Sequence, residues 1–200
     1  MSSHDEHSRR RFLVATALAA AGASFADLAA AQELAPTPEC KDADEPTRAQ
    51  TEGPFYKARS PERADLREPG LGGRTVELSG FVLTRACKPV ARALVDLWHA
   101  DDKGDYDNRG NRGRGHVLTD AQGRYRFRTI EPALYPGRTR HYHIKVVQGG
   151  RALLTTQLYF PADEAANKRD FLYRPELLMK VAQADSNALG ARFDFVLDMR

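Results

Sequence analysis

The chain has 200 residues, enough for one domain plus a targeting segment and too few for two full domains. Thirty basic and 27 acidic residues leave a formal charge of +3, too balanced to make nucleic acid the main partner, and an apolar share of 42% excludes a disordered chain. Only two cysteines, Cys40 and Cys87, are present, which excludes a disulfide-dense scaffold and a four-thiolate zinc site, so any metal must be held by other donors.

Ser8-Arg9-Arg10-Arg11-Phe12-Leu13 leads into an apolar run at residues 14–23, and Ala29-Ala30-Ala31 precedes Gln32. Basic, apolar and small-residue regions in that order predict a secretory signal over residues 1–31, cleaved after Ala31. The paired arginines followed by Phe-Leu point to the twin-arginine route, and hence to export into the periplasm or the extracellular space. The apolar run is well below the ~20 residues of a membrane span, so no stable span is expected. In an oxidising compartment Cys40 and Cys87 either pair, tying the N-terminal arm to a strand connection, or stay as two thiols. Their pattern leaves both alternatives standing.

Residues 32–74 form an arm whose first part is rich in Pro, Glu, Asp and Thr with little periodicity. Residues 75–83 alternate, with Val76, Leu78 and Val82 on one side, and residues 93–100 are a nearly continuous apolar run predicting a strand buried on both faces. Asp120-Ala121-Gln122-Gly123 is a turn before residues 124–130, which alternate basic with aromatic or apolar as a half-exposed strand does. Residues 141–148 and 151–160 are two further strands joined by Gly149-Gly150, and residues 192–199 put Phe193, Phe195, Leu197 and Met199 on one side. Helical signal is confined to a turn at 161–166 and a weak apolar stripe at 175–184. The prediction is an all-β domain over residues 75–200: an antiparallel β-sandwich, immunoglobulin- or prealbumin-like, with long loops and little helix.

On the strand that begins at His141, His141 and His143 share one face while Tyr142, Ile144 and Val146 share the other. Two imidazoles two residues apart on one strand face can converge on a metal ion; a pair of solvated histidines is the alternative. Tyr135 lies in the loop Pro132-Ala133-Leu134-Tyr135-Pro136-Gly137, and Tyr106 lies in the polar loop after the Trp98 strand. Tyrosines emerging from loops can supply phenolate oxygens to a hard cation such as Fe(III), or can simply pack.

The chain resembles the intradiol ring-cleavage dioxygenases, non-haem Fe(III) enzymes that split catechols between the two hydroxyl-bearing carbons. The residues that carry the resemblance run from Thr51-Glu52-Gly53-Pro54-Phe55-Tyr56 through Val95-Asp96-Leu97-Trp98-His99-Ala100, Gly104-Asp105-Tyr106, Leu134-Tyr135-Pro136 and His141-Tyr142-His143 to Thr156-Gln157-Leu158-Tyr159-Phe160. It implies Fe(III) held by Tyr106, Tyr135, His141 and His143. It further implies Arg138 as a cation that stabilises charge on the substrate ring, worth on the order of 3 kcal/mol, and Gln157 as a hydrogen-bond donor beside the metal. The implied reaction inserts both atoms of O2 into a small aromatic diol to give a cis,cis-muconate-type product. The stretch between Tyr135 and His141 is short, and the family's long helical dimerisation segment is absent, which leaves the choice of catechol and any homo-oligomer open. His99 is expected to be a core or pocket-rim histidine and His116 a surface one, and the Arg109 to Arg114 run is expected to lend positive potential to an entrance. The rival readings are an exported β-sandwich that kept the fold as a non-catalytic binding module, and a zinc or copper site built on the His pair.

Overall fold

A computed structural model of the chain describes Cys40 and residues 45–199. The predicted signal, residues 1–31, and the start of the arm lie outside the described residues.

Among the described residues nine strands form two sheets that pack face to face. In chain order they are β1 (Thr75–Thr84), β2 (Leu94–Trp98), β3 (Arg114–Leu118), β4 (Arg124–Ile130), β5 (His141–Gln148), β6 (Arg151–Tyr159), β7 (Lys180–Asp185), β8 (Ala188–Arg192) and β9 (Phe195–Leu197). One α-helix among the described residues, α1 (Glu164–Arg169), follows β6. The first sheet has the order β4-β1-β8-β7 with β9 also on β1; the second has the order β3-β2-β5-β6. The second sheet is antiparallel throughout, as expected for the sandwich. The first is mixed, because β8 and β9 both run parallel to β1.

The core lies between the sheets and follows from strict alternation. On the first sheet Leu78 of β1 lies opposite Phe127 of β4, with Val76 and Tyr125 on the same face, and Val95, Leu97, Tyr142, Ile144, Val146 and Leu158 come from the opposite sheet, all buried. Each such side chain contributes roughly 1.5–3 kcal/mol by leaving water. Two phenols tie the core to backbone: Tyr142 Oη donates to the Ile130 carbonyl at 2.7 Å, and Tyr125 Oη to the Phe193 carbonyl at 2.7 Å.

Two expectations are corrected, and one strand was not foreseen. The stripe at 175–184 is not helical: a 3-10 turn at Pro175–Leu177 leads into strand β7. Its register against β8, with Lys180 opposite Arg192, supplies the hydrogen bonds that a weak stripe could not. The segment 192–199 is broken between β8 and β9, where Asp194 Oδ1 accepts from the Phe81 N–H at 2.9 Å. The glycine-rich stretch around Arg114 is strand β3, since pairing with β2 overrides its low strand propensity.

The two cysteines form the disulfide Cys40–Cys87, which fastens the arm to the β1–β2 connection. Beyond it the arm runs against both sheets: Thr47 N donates to Val196 O, Gln50 N to Thr155 O, and Arg63 N to His116 O, at 2.8, 2.8 and 3.0 Å. No helix among the described residues is long and apolar enough to cross a membrane.

Candidate metal centre

Strand register assembles one side of the site. Arg114, Trp98, His143 and Gln157 are direct partners across β3, β2, β5 and β6, so they form one row on the face of the second sheet turned away from the core. His141 sits two residues along on the same face, opposite Tyr159. Trp98 stacks flat on His143, with ring centroids 5.0 Å apart and planes 8° from parallel.

Two loops supply the tyrosines. The Tyr106 loop is built on carboxylates that accept backbone N–H groups: Asp101 from Lys103 and Asp105, and Asp107 from Arg109, Gly110 and Arg112. Three such bonds hold the Asp107 carboxyl down to about 2. The loop turns at Gly104, where φ is +90° and an added Cβ would lie 2.5 Å from the Leu134 carbonyl oxygen. This close approach brings it against the Tyr135 loop, and the Tyr106 and Tyr135 rings meet edge to face at 5.8 Å.

Tyr106 Oη lies 3.2 Å from His141 Nε2 and 3.1 Å from His143 Nε2, and the two Nε2 atoms are 3.2 Å apart. The three atoms therefore form a nearly equilateral triangle. His141 Nδ1 is 2.6 Å from the Thr139 carbonyl, which can only accept, so the proton is on Nδ1 and Nε2 presents a lone pair. His143 Nδ1 is buried with no hydrogen-bond partner among the described residues. Three lone-pair atoms facing one another, with at most two protons to share, is a poor arrangement without a cation. It suits one: donors about 2.0–2.1 Å from a common ion are separated by roughly 3.0–3.4 Å. No group of three His, Cys, Asp or Glu side chains among the described residues could hold a metal, so a centre here depends on tyrosine.

The electrostatics agree. Burial, with the Arg138 cation second, lowers the His141 pKa to about 4. Burial, the neighbouring His141 and then Arg138 drive His143 well below its ordinary value. Both rings are thus neutral and ready to ligate at neutral pH. Burial pushes the Tyr106 phenol upward, against the pull of Arg138 and Arg114, so its phenolate form needs a strong Lewis acid. Tyr135 is half-buried and its hydroxyl makes no hydrogen bond among the described residues, so it stands beside the triangle rather than closing it.

Arg138 and Gln157 meet: Arg138 Nη2 donates to Gln157 Oε1 at 2.5 Å. The amide group of Gln157 donates to the Thr51 carbonyl at 3.1 Å, so its hydrogens point to the arm rather than to the triangle. His99 is a core histidine, bonded to the Ala100 carbonyl and to Thr129 Oγ1, both at 2.6 Å. His116 is half-buried on β3 rather than superficial, and Ser60 Oγ lies 3.1 Å from its Nδ1. Arg114 is buried, donating to the Phe55 and Asp107 carbonyls. Beside Tyr106 a cavity of about 440 Å³ is lined by Lys103, Arg109 and Arg112 but equally by Asp101, Asp105 and Asp107. The expected positive entrance is therefore largely balanced, with Arg112 facing Asp101 at 3.8 Å.

Sequence reasoning did not single out Gly53, Phe55 or Asp170. Phe55 stacks on Tyr106 at 4.3 Å and meets Tyr135 edge-on at 5.6 Å, so the arm forms part of the site's wall. Asp170 holds Arg138 at 2.8 Å. The match of the Thr51 to Tyr56 segment to the family was a signal for the first two; nothing local marked Asp170.

Residues 51–199 match the family model described as Dioxygenase. The chain is 34% identical over 154 residues to the protocatechuate 3,4-dioxygenase beta chain of Burkholderia cepacia, covering 62% of this chain and 65% of the relative. It is 32% identical over 141 residues to catechol 1,2-dioxygenase of Acinetobacter baylyi, covering 56% of this chain and 45% of that one. The chain belongs to the intradiol ring-cleavage dioxygenase family. Among solved structures it is similar to the dioxygenase domain of a dioxygenase carbohydrate-binding protein fusion from Streptomyces sp. SirexAA-E, with a TM-score of 0.74 and 47% identity over 78% of this chain and 100% of that one. It is also similar to 3-chlorocatechol 1,2-dioxygenase from Rhodococcus opacus 1CP, with a TM-score of 0.69 and 26% identity over 78% and 73% of the two chains. The chain spans 65% and 45% of the length of the two curated relatives above.

Proposed function

We propose that this intradiol-family chain is an Fe(III)-dependent enzyme that cleaves a catechol-type ring between its two hydroxyl-bearing carbons, consuming O2 and releasing a cis,cis-muconate-type product. The observation that carries the reading is the triangle of Tyr106 Oη, His141 Nε2 and His143 Nε2. These three would hold the ion, with Tyr135 as the fourth protein donor. Bound Fe(III) would supply the Lewis acidity and redox coupling that make a chelated catecholate reactive toward O2.

The chain's own residues do the rest. Tyr135 Oη, which makes no hydrogen bond among the described residues, would serve as a phenolate when it holds the ion and would take the proton of a substrate hydroxyl, becoming the neutral phenol as the catechol binds. Arg138 keeps a fixed cation beside the ring, stabilising negative charge that develops there. Gln157 ties Arg138 to the arm through Thr51. Phe55, flat against Tyr106, covers one face of its ring. The Arg9-Arg10 segment supports export by the twin-arginine route, and the Cys40–Cys87 disulfide suits an oxidising compartment.

Purified full-length protein is expected to carry iron and a red-brown tyrosinate-to-iron absorption. It should take up O2 with at least one of catechol, protocatechuate, hydroxyquinol and the chlorocatechols. Tyr106→Phe and Tyr135→Phe should each weaken or shift the colour. A folded, colourless preparation that takes up no O2 after iron loading would favour a non-catalytic binding module instead.

A further inference from the structure

The segment leading into β5 is gripped from one side by α1. Asp163, just before the helix, accepts from Arg140 Nη1 at 2.5 and 2.6 Å. Asn167 Oδ1 accepts from Thr139 Oγ1 at 2.5 Å. Asp170, just after the last turn, accepts from Arg138 Nε at 2.8 and 2.9 Å and from Thr139 N at 3.0 Å. Positions spaced by four and then three lie on one helical face, so that face contacts three consecutive residues of an extended segment.

The helix gains little for itself from these polar groups. It has six residues, too few to be stable alone. Asp163 occupies the N-cap position but makes no capping hydrogen bond, because its carboxylate is turned to Arg140. Asn167 is anchored in turn, its Nδ2 donating to the Phe160 carbonyl at 3.0 Å. The Asp170 side chain is 0% exposed and Arg138 only 12%, so their pairing is shielded from water.

We propose that Asp170 is a positioning residue, which aims the Arg138 guanidinium at the substrate and, through the Thr139 backbone, steadies His141. This inference rests on the roles given above to Arg138 and His141. Arginine is charged without help, so what Asp170 supplies is direction. With Nε held by Asp170 and Nη2 held by Gln157, the plane of the fork is set. Thr139 transmits the second effect: its N–H is held by Asp170, and its carbonyl accepts from His141 Nδ1. Groups behind a metal ligand act in this way, and their loss typically lowers metal affinity or activity roughly 10- to 100-fold.

The test combines a kinetic cycle with a readout that needs neither metal nor turnover. In the iron-loaded enzyme Asp170→Asn should lower kcat roughly 10- to 100-fold with little change in KM. In an Arg138→Ala background the same substitution should change kcat by no more than about twofold, because its main route of action is gone. In the metal-free protein the Arg138 Nε–H resonance, assigned by its loss in Arg138→Ala, should exchange slowly with water in the wild type and rapidly in Asp170→Asn. Asp170→Glu keeps the charge and displaces it by one methylene; it should lower kcat while leaving the thermal unfolding midpoint nearly unchanged, which decides the matter if the Asn variant does not fold. Additive losses in the double variant, slow Nε–H exchange persisting in Asp170→Asn, or full kcat in Asp170→Glu would each overturn the proposal. A wild type inert toward every catechol would instead overturn the functional reading, and the exchange measurement would still decide whether Asp170 fixes Arg138.

Discussion

Trp98 covers one face of the His143 imidazole because the two are direct cross-strand partners on β2 and β5, with planes 8° apart. Since His143 Nδ1 has no hydrogen-bond partner among the described residues, this stacking is what sets the rotation of the ring. Most imidazole ligands are oriented by an acceptor on the other nitrogen, as His141 is by Thr139.

Replacing Trp98 should therefore weaken metal retention. Trp98→Phe is expected to lower iron affinity roughly 10-fold while the fold persists. Trp98→Ala should add a stability loss of about 3–5 kcal/mol. Iron content after dialysis against a chelator, with urea unfolding in parallel, checks both. Wild-type iron retention in Trp98→Phe would show that packing does not orient His143.

Gly53 lies against the Cε1 edge of the same ring. Its φ is +73°, and an added Cβ would lie 3.2 Å from His143 Cε1. Gly53→Ala should cost about 1–3 kcal/mol from the left-handed backbone alone and displace His143, so that iron content falls with stability. Undiminished iron content in a destabilised variant would mean that the arm moves and the ring does not.

Acid should act on this protein through buried groups of opposite sign, of which His99 and Asp96 lie outside the proposed ligand set. Burial lowers the His99 pKa from 6.5 to about 4 despite its backbone acceptor at Ala100. Between those pH values the unfolded chain takes up a proton that the folded one refuses, so stability falls as the pH drops. Burial raises Asp96 from 3.8 to about 6 against the hydrogen bond from Ser60. There the folded chain keeps a proton that the unfolded one has released, so stability rises as the pH falls through 6 and is diminished above it. Asp96→Asn removes the opposing effect. It should steepen the loss of stability between pH 6 and 4 and raise stability at pH 8 by on the order of 2 kcal/mol. Urea unfolding from pH 4 to 8 measures this; curves parallel to the wild type would refute it.

The Cys40–Cys87 bond spans 47 residues of sequence and holds the arm that carries Gly53 and Phe55. A closed loop of that length stabilises by roughly 4 kcal/mol through the entropy of the unfolded chain. Cys40→Ser with Cys87→Ser should lose about 2–4 kcal/mol in urea unfolding and blunt the response of unfolding to reductant. An unchanged midpoint would show that arm packing alone suffices.

Strands of both sheets were legible in advance where they announce themselves by period: the residues of β4 in the first sheet and β5 in the second alternate or run apolar over the lengths finally observed. The strands missed or misassigned, β3, β7 and the β8–β9 break, have weak local patterns and exist because partner strands complete them. Gly115 illustrates the point: with little intrinsic preference for a strand, it is held there opposite Leu97.

The amino-acid sequence by itself determined the donor types, imidazole and phenol in place of thiolate, and the alternation that puts His141 and His143 on one face of β5. It also contained the entry motif through which the family resemblance is read. Only the tertiary structure decided which atoms meet. Tyr106 reaches the histidines across 35 and 37 residues of chain, Arg138 is aimed by Asp170 from 32 residues away, and Phe55 closes the wall from the arm. None of these contacts has a local periodic signature, since each depends on strand register, loop closure and the path of the arm. Those are settled together when the two sheets bury their common core.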